Sequence, residues 1–167
     1  MEIGRRKYDM PPMIDDLYSA KILKLAANMP RAGRLPAPDG TAEKVAKLCG
    51  SRIIVDVRLA DGKVADFAQE VKACALGQAA AAVLGAAVIG AAPEEIEMAR
   101  DAFRAMLKDG GPAPTGRFSD LAMLEPVKDY PPRHASTLLA FEATMEACRI
   151  AAEADGETLR TRRAGAA

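Results

Sequence analysis

The sequence predicts an α+β fold: a small antiparallel sheet of about three strands, helices packed on one face, and a long C-terminal helix. Three observations predict it. Strand-type alternation of apolar and polar residues is confined to one stretch, roughly 44–71. Helix-type periodicity fills nearly everything after Cys74. Strands followed by a run of helices, rather than alternating with them, segregate the two kinds of element into layers.

The elements follow in chain order. Asp15-Asp16, with apolar positions at Tyr18, Ile22, Leu25 and Ala26, predicts a short amphipathic helix that Asn28-Met29-Pro30 ends. Residues 31–40 form a loop rich in Pro and Gly, and residues 44–48 offer a further strand. Ile53, Val55, Val57 and Leu59 alternate with Ile54, Asp56 and Arg58, the period of a strand with one buried face. Asp61-Gly62 supplies a hairpin turn. The returning strand carries Val64, Asp66, Phe67 and Val71 in a less regular pattern.

Beyond Cys74, residues 75–89 set Leu76, Val83, Leu84, Val88 and Ile89 among small residues, a helix that neighbours can approach closely. Pro93 suits a first helical turn, and Glu94 and Glu95 complement the dipole there. The stripe of that helix is Ile96, Ala99, Phe103, Met106 and Leu107, and Gly110-Gly111-Pro112 stops it. A short helical stretch is expected near 118–124. The last helix starts near Pro131-Pro132, with Leu138, Phe141, Met145, Cys148 and Ala152 on one face. Residues 1–155 are expected to form a single domain and 156–167 a flexible tail.

Composition excludes several functions. The 23 basic residues equal the 23 acidic ones, so no global field gathers nucleic acid or an acidic membrane. Only 4% of residues are aromatic and none is Trp, which argues against platforms for stacking bases. No signal-peptide apolar core follows the charged start of the chain. The uncharged stretch 73–93 is mostly Ala and Gly, too weakly apolar to span a membrane, and reads as a helix buried in protein. Three cysteines without the spacing of a disulfide scaffold point to a reducing cytoplasm, where thiols remain free as ligands. No glycine-rich run ends in Lys-Ser or Lys-Thr, so a phosphate loop is absent. No nucleophile-elbow pattern accompanies Ser136 and His134, and the chain is not expected to be an enzyme.

What chemistry the residues do suggest lies in two thiols. Cys49 precedes the first clear strand, and Gly50 beside it permits a tight turn. Cys74 follows the second strand and opens a helix, where the dipole favours thiolate. Thiolate is the form that binds soft metals or attacks a sulfur donor. Strands joined at Asp61-Gly62 bring their far ends together, so the two thiols should be neighbours. The competing reading is that both are small buried hydrophobes, as free cysteines often are. Cys148, on the apolar stripe of the last helix, reads as structural. His134, the only histidine, and Ser136 belong to the first turn of that helix. His134 is a weaker metal-ligand candidate, and Ser136 suits an N-terminal turn.

Four stretches in this order resemble the U-type iron–sulfur cluster assembly scaffolds, the NifU N-terminal-like family. They are Leu17-Tyr18 with Asn28-Met29-Pro30-Arg31 and Gly33; Leu48-Cys49-Gly50 before the first strand; Cys74-Ala75-Leu76 before a small-residue helix; and Tyr130-Pro131-Pro132-Arg133 with Leu139-Ala140-Phe141. Together they cover about 14–152. The family's acid after Cys-Gly is Ser51 here, its third cysteine aligns with Ser136, and its Gly-rich approach to the second cysteine is Val71-Lys72-Ala73.

The resemblance implies a scaffold or sulfur acceptor that binds a labile [2Fe-2S] cluster or Fe, alternatively Zn, through Cys49 and Cys74. His134, Ser136 and Ser51 are weaker neighbours, and Cys74 is the persulfide candidate. The implied partners are a cysteine desulfurase and apo iron–sulfur proteins. A homodimer could supply two thiols from each copy, since clusters generally take four cysteine-type ligands. The alternative is a degenerate homologue that serves as a protein-binding adaptor without metal.

Overall fold

The structure is a computed structural model that describes residues 19–165, with the side chains of 157–164 excepted. Helix α1 is Ala20–Ala27, capped by the Ser19 hydroxyl, which accepts from the Ile22 amide. It buries Ile22 and ends at Asn28, whose side chain donates to the Lys24 carbonyl. Asp15, Asp16 and Tyr18, assigned to this helix from the sequence, lie outside the described residues.

Strands β1 (Gly40–Ala46), β2 (Ser51–Ala60) and β3 (Lys63–Lys72) form one antiparallel sheet in that spatial order. The third strand is therefore present but earlier than the expected 44–48; residues 47–50 form the turn into β2. Asp61 and Gly62 join β2 to β3 with φ of 54° and 73°, the two positive values a primed hairpin turn requires. The irregular pattern of β3 has a cause. Arg58 pairs with Asp66 but Leu59 pairs with Val64, so Ala65 is an extra residue. That bulge shifts the two-residue period, and both Val64 and Phe67 end up buried.

Helices α2 (Ala75–Ala87), α3 (Pro93–Asp109) and α4 (His134–Gly165) complete the fold. Between α3 and α4 run 3-10 segments over Gly116–Asp129 and Pro131–Arg133, longer than the stretch expected near 118–124. The predicted α3 stripe, Ile96, Ala99, Phe103, Met106 and Leu107, is buried throughout, and Gly110 ends the helix at φ 66°.

Helix α4 lies between the sheet and the other helices. Its approach to β1 is so close that a Cβ at Gly40 would meet the Ala147 carbonyl and lie 2.7 Å from the Ala151 nitrogen. On its other side Phe141 makes edge-on contacts with Phe103 (5.8 Å) and Phe118 (5.6 Å). This position corrects one expectation: Ala152 is exposed, while Ala147 and Ala151 are buried. A stripe spaced by threes and fours repeats every 3.5 residues, whereas a straight helix turns every 3.6, so the buried line drifts along the face. Backbone helix continues to Gly165, past residue 156 where the tail was expected to begin.

The outer face of the sheet is strapped by residues 31–39. Ala32 bridges Gln69 at the edge of β3, and the Asp39 amide donates to the Val57 carbonyl. Beneath the strap sits Asp56, fully buried despite its place among the outward-facing residues of β2. It accepts from Arg34 Nε (2.6 Å), Thr41 Oγ1 (2.6 Å) and the Leu35 amide (3.0 Å). Among the described residues no helix is long and apolar enough to cross a membrane.

Candidate cluster or metal site

Cys49 occupies the tip of the hairpin between β1 and β2. Ala46 and Ser51 are the last pair of that ladder, and the Gly50 amide closes the turn onto the Ala46 carbonyl at 2.9 Å. Gly50 has φ 71°, a conformation that glycine adopts without a Cβ clash. The turn leaves Cys49 exposed, with its Sγ 3.0 Å from the Ser51 hydroxyl. Ser51 itself is buried at the start of β2.

Cys74 arrives by a separate route to the same end of the sheet. Arg52 at the start of β2 pairs with Lys72 at the end of β3, and Cys74 follows as the N-cap of α2. It is half-buried. The first turn of α4 closes over it, because Gly77 offers no side chain: a Cβ there would stand 3.0 Å from the Ser136 carbonyl. This seats Ser136, itself buried, with its Oγ 3.8 Å from Cys74 Sγ. The same hydroxyl contributes to lowering the Cys49 pKa. Ser136 thus borders Cys74 and acts on Cys49 electrostatically. Its proton is also claimed by the Arg133 carbonyl at 3.1 Å.

The electrostatics differ among the thiols. The Ser51 hydroxyl holds the Cys49 thiol below its ordinary pKa, against an opposing contribution from partial burial. The Ser51 backbone, the Ser136 hydroxyl and the charge of Arg133 add to the lowering. Cys49 therefore ionises at lower pH than a free thiol, by hydrogen bonding to its charged form. Cys148 is the reverse: burial first, and the charge of Glu94 second, push it up to about 11. Its place in the core explains this, since it is 2% exposed among apolar neighbours.

The remaining candidate lies apart from the thiols in role. His134 is buried, and its Nε2 sits 2.9 Å from the Val127 carbonyl, tying the 3-10 segment to α4. Two residues before Ser136 on a helix, it projects in a different direction. Among the described residues no group of three or more His, Cys, Asp or Glu side chains could hold a metal ion. The donors gathered here are instead two sulfurs and the hydroxyls of Ser51 and Ser136. Sequence reasoning gave Arg133 no electrostatic part. Its charge near Cys49 depends on how α4 meets the hairpin tip, which no local spacing reveals.

Comparison with known proteins supplies a family for this arrangement. A curated relative, the iron–sulfur cluster assembly scaffold protein IscU of Thermotoga maritima, is 27% identical over 133 residues, spanning 80% of this chain and 93% of the relative. The crystal structure of a nitrogen-fixing NifU-like protein (N-terminal) from Brucella abortus superposes with a TM-score of 0.82 at 53% identity, covering 84% of this chain and 97% of that one. A SUF-system protein of Fervidobacterium islandicum AW-1 matches with a TM-score of 0.74 over 81% of this chain and 99% of its own. Its 20% identity speaks for the fold alone. The family model for the NifU-like N terminal domain matches residues 17–137, a span that holds the hairpin tip, the start of α2 and the first turn of α4, and the chain belongs to that family.

Proposed function

We propose that this chain is an iron–sulfur cluster assembly scaffold, or sulfur acceptor, that carries a labile cluster or metal ion as cargo on Cys49 and Cys74. The observation that carries this reading is that Cys49 at the hairpin tip and Cys74 at the start of α2 arrive at the same end of the sheet, where the Ser136 hydroxyl, 62 residues beyond Cys74, stands 3.8 Å from the Cys74 thiol. The names of the Thermotoga and Brucella relatives support it. Cys49 is the more accessible donor, and the hydrogen bonds around it favour the thiolate that a soft metal requires. A cysteine desulfurase is the sulfur source and apo iron–sulfur proteins are the recipients. The chain acts on them stoichiometrically, as a carrier in the cytoplasm and not as an enzyme.

A [2Fe-2S] cluster takes four cysteine-type ligands. One chain brings two thiols, with Ser136 and Ser51 as the adjacent oxygen donors, so a second copy is the natural source of the rest. His134 serves structure, through Val127, rather than ligation. A second reading has one observation in its favour. Among the described residues no third His, Cys, Asp or Glu joins the thiols, as expected of a family member that has become a metal-free adaptor.

Anaerobic reconstitution with ferrous iron and sulfide separates the two. Charge-transfer absorbance is expected from the wild-type chain, lost in Cys49→Ser and Cys74→Ser and kept in Cys148→Ser. A colourless protein that also holds no zinc as isolated favours the adaptor. Equal loss from all three variants overturns the ligand assignment.

A further inference from the structure

The exposed ridge of α3 carries its charges in an order that fits its own reversal. We propose that this ridge is a self-complementary docking surface, on which a second copy of the chain binds antiparallel about a twofold axis near Asp101. None of the thiols belongs to the ridge, so the inference stands apart from the scaffold reading.

Glu94, Glu97, Asp101, Arg104 and Lys108 are spaced by threes and fours, and all are exposed, whereas the stripe from Ile96 to Leu107 is buried. Their signs run acid, acid, acid, base, base. Like charges that neighbour one another on a helix face repel. Glu97 and Asp101 are such a pair, four residues apart, and so are Arg104 and Lys108. Nothing packed nearby relieves them. Among the described residues Glu94, Glu97, Arg104 and Lys108 have no ion-pair partner, although Arg100, Arg117, Lys128 and Arg149 each have one.

The helix dipole accounts for only part of this order. It favours Glu94 in the first turn and Lys108 in the last, and its influence falls off within those turns. Glu97 and Arg104 lie further in. Nor does the dipole account for Met98, which is 72% exposed and shares a face with Glu94 and Asp101.

An antiparallel second copy answers each of these features. Glu94 and Lys108 stand seven residues either side of Asp101. In a pair centred there, Glu94 faces the partner's Lys108 and Glu97 comes opposite the partner's Arg104. Met98 covers the aliphatic stem of the partner's Arg104 and the partner's Ala105, a position half-buried within its own chain. The two Asp101 carboxylates approach at the axis, each already held by Arg100 of its own chain at 2.9 Å. Twofold symmetry makes every contact occur twice. A parallel arrangement would instead set acid on acid. The charges thus fix the orientation, and Met98 supplies apolar contact.

A groove beside the ridge gives the partner helix a seat. Glu94 and Glu97 line a cavity of about 440 Å³, Arg104 and Lys108 one of about 310 Å³, and the two share Lys44 and Glu142. Ridges of one helix pack into such grooves. A foreign helix would need the complementary order of charges, which this chain already carries. Its formal net charge of zero adds no general repulsion between copies.

Sedimentation velocity of the full, reduced, metal-free chain over a dilution series tests the surface. The wild type should show a reversible monomer–dimer equilibrium that added salt weakens. Arg104→Glu with Lys108→Glu makes the ridge acidic throughout, and Glu94→Lys with Glu97→Lys makes it largely basic. Each double variant alone should dimerise about tenfold more weakly or worse, since every reversed charge counts twice. An equimolar mixture of the two should associate again, which also shows that both are folded. Met98→Ser, which alters no charge, should weaken the dimer and leave the thermal unfolding midpoint in place. Cys49→Ser and Cys74→Ser should dimerise as the wild type does. A wild type that is monomeric at every dilution overturns the proposal. So does a dimer that survives both double variants and Met98→Ser, or one that is lost with either cysteine.

Discussion

Asp56 shows how a single polar residue can hold a whole surface of this fold. Its side chain is wholly shielded from solvent, and burial alone would raise its pKa. Hydrogen bonds from Arg34, Thr41 and the Leu35 amide outweigh that cost and leave it below the ordinary carboxylate value. A carboxylate with a depressed folded-state pKa stabilises the fold fully above its unfolded value. The contribution fades as pH falls from there through the lower folded value. Urea unfolding of the wild type should therefore lose stability below the usual carboxylate range. Asp56→Asn should be less stable by about 1–3 kcal/mol at neutral pH, since the strap donors lose a charged acceptor. It should also flatten the acid limb; an unchanged pH profile would show that the strap does not depend on this charge. From the sequence, alternation placed Asp56 correctly on the outward side of β2. It did not show that residues 31–39 return to cover that side, because nothing in a Pro- and Gly-rich loop specifies where it lands.

At the scale of elements, the site exists because the first turns of α2 and α4 touch. Gly77 is the contact that allows it: an added Cβ would lie 2.9 Å from Ala73 Cβ and 3.0 Å from the Ser136 carbonyl. Gly77→Ala would ordinarily favour a helix by up to about 1 kcal/mol. Here overpacking of about 1–3 kcal/mol should outweigh that gain. The expected outcome is a net loss in thermal unfolding, together with weaker cluster uptake, because Ser136 would be pushed off Cys74. A more stable protein with an intact site would mean that the helices have room to spare. That Cys49 and Cys74 reach the same end of the sheet was legible beforehand, since strands joined at Asp61-Gly62 must bring their far ends together. The seat of α4 was not. Its apolar positions promised a buried helix, but burial on two sides, and the resulting exposure of Ala152, follows from its place between sheet and helices.

For the molecule as a whole, Phe141 links the layers. It sits at no exposure on α4, with Phe103 of α3 and Phe118 of the 3-10 segment edge-on to it. Phe141→Ala should cost about 3–5 kcal/mol in a cooperative unfolding transition, the range for deleting a buried aromatic side chain. A loss below about 1 kcal/mol would mean that the three rings repack independently of the core. The sequence by itself determined the kinds of element, the hairpin at Asp61-Gly62, the buried stripe of α3 and the arrival of Cys49 and Cys74 at one end of the sheet. These follow from periodicity, turn chemistry and chain connectivity, which act over a few residues or across one turn. Only the tertiary structure decided that Ser136 stands beside Cys74, that Arg133 adds its charge to Cys49 and that His134 bonds to Val127. Each depends on how a helix from the end of the chain docks on a hairpin near its start. Packing sets that docking through close contacts at Gly40 and Gly77, and no local pattern encodes the residues those contacts bring together.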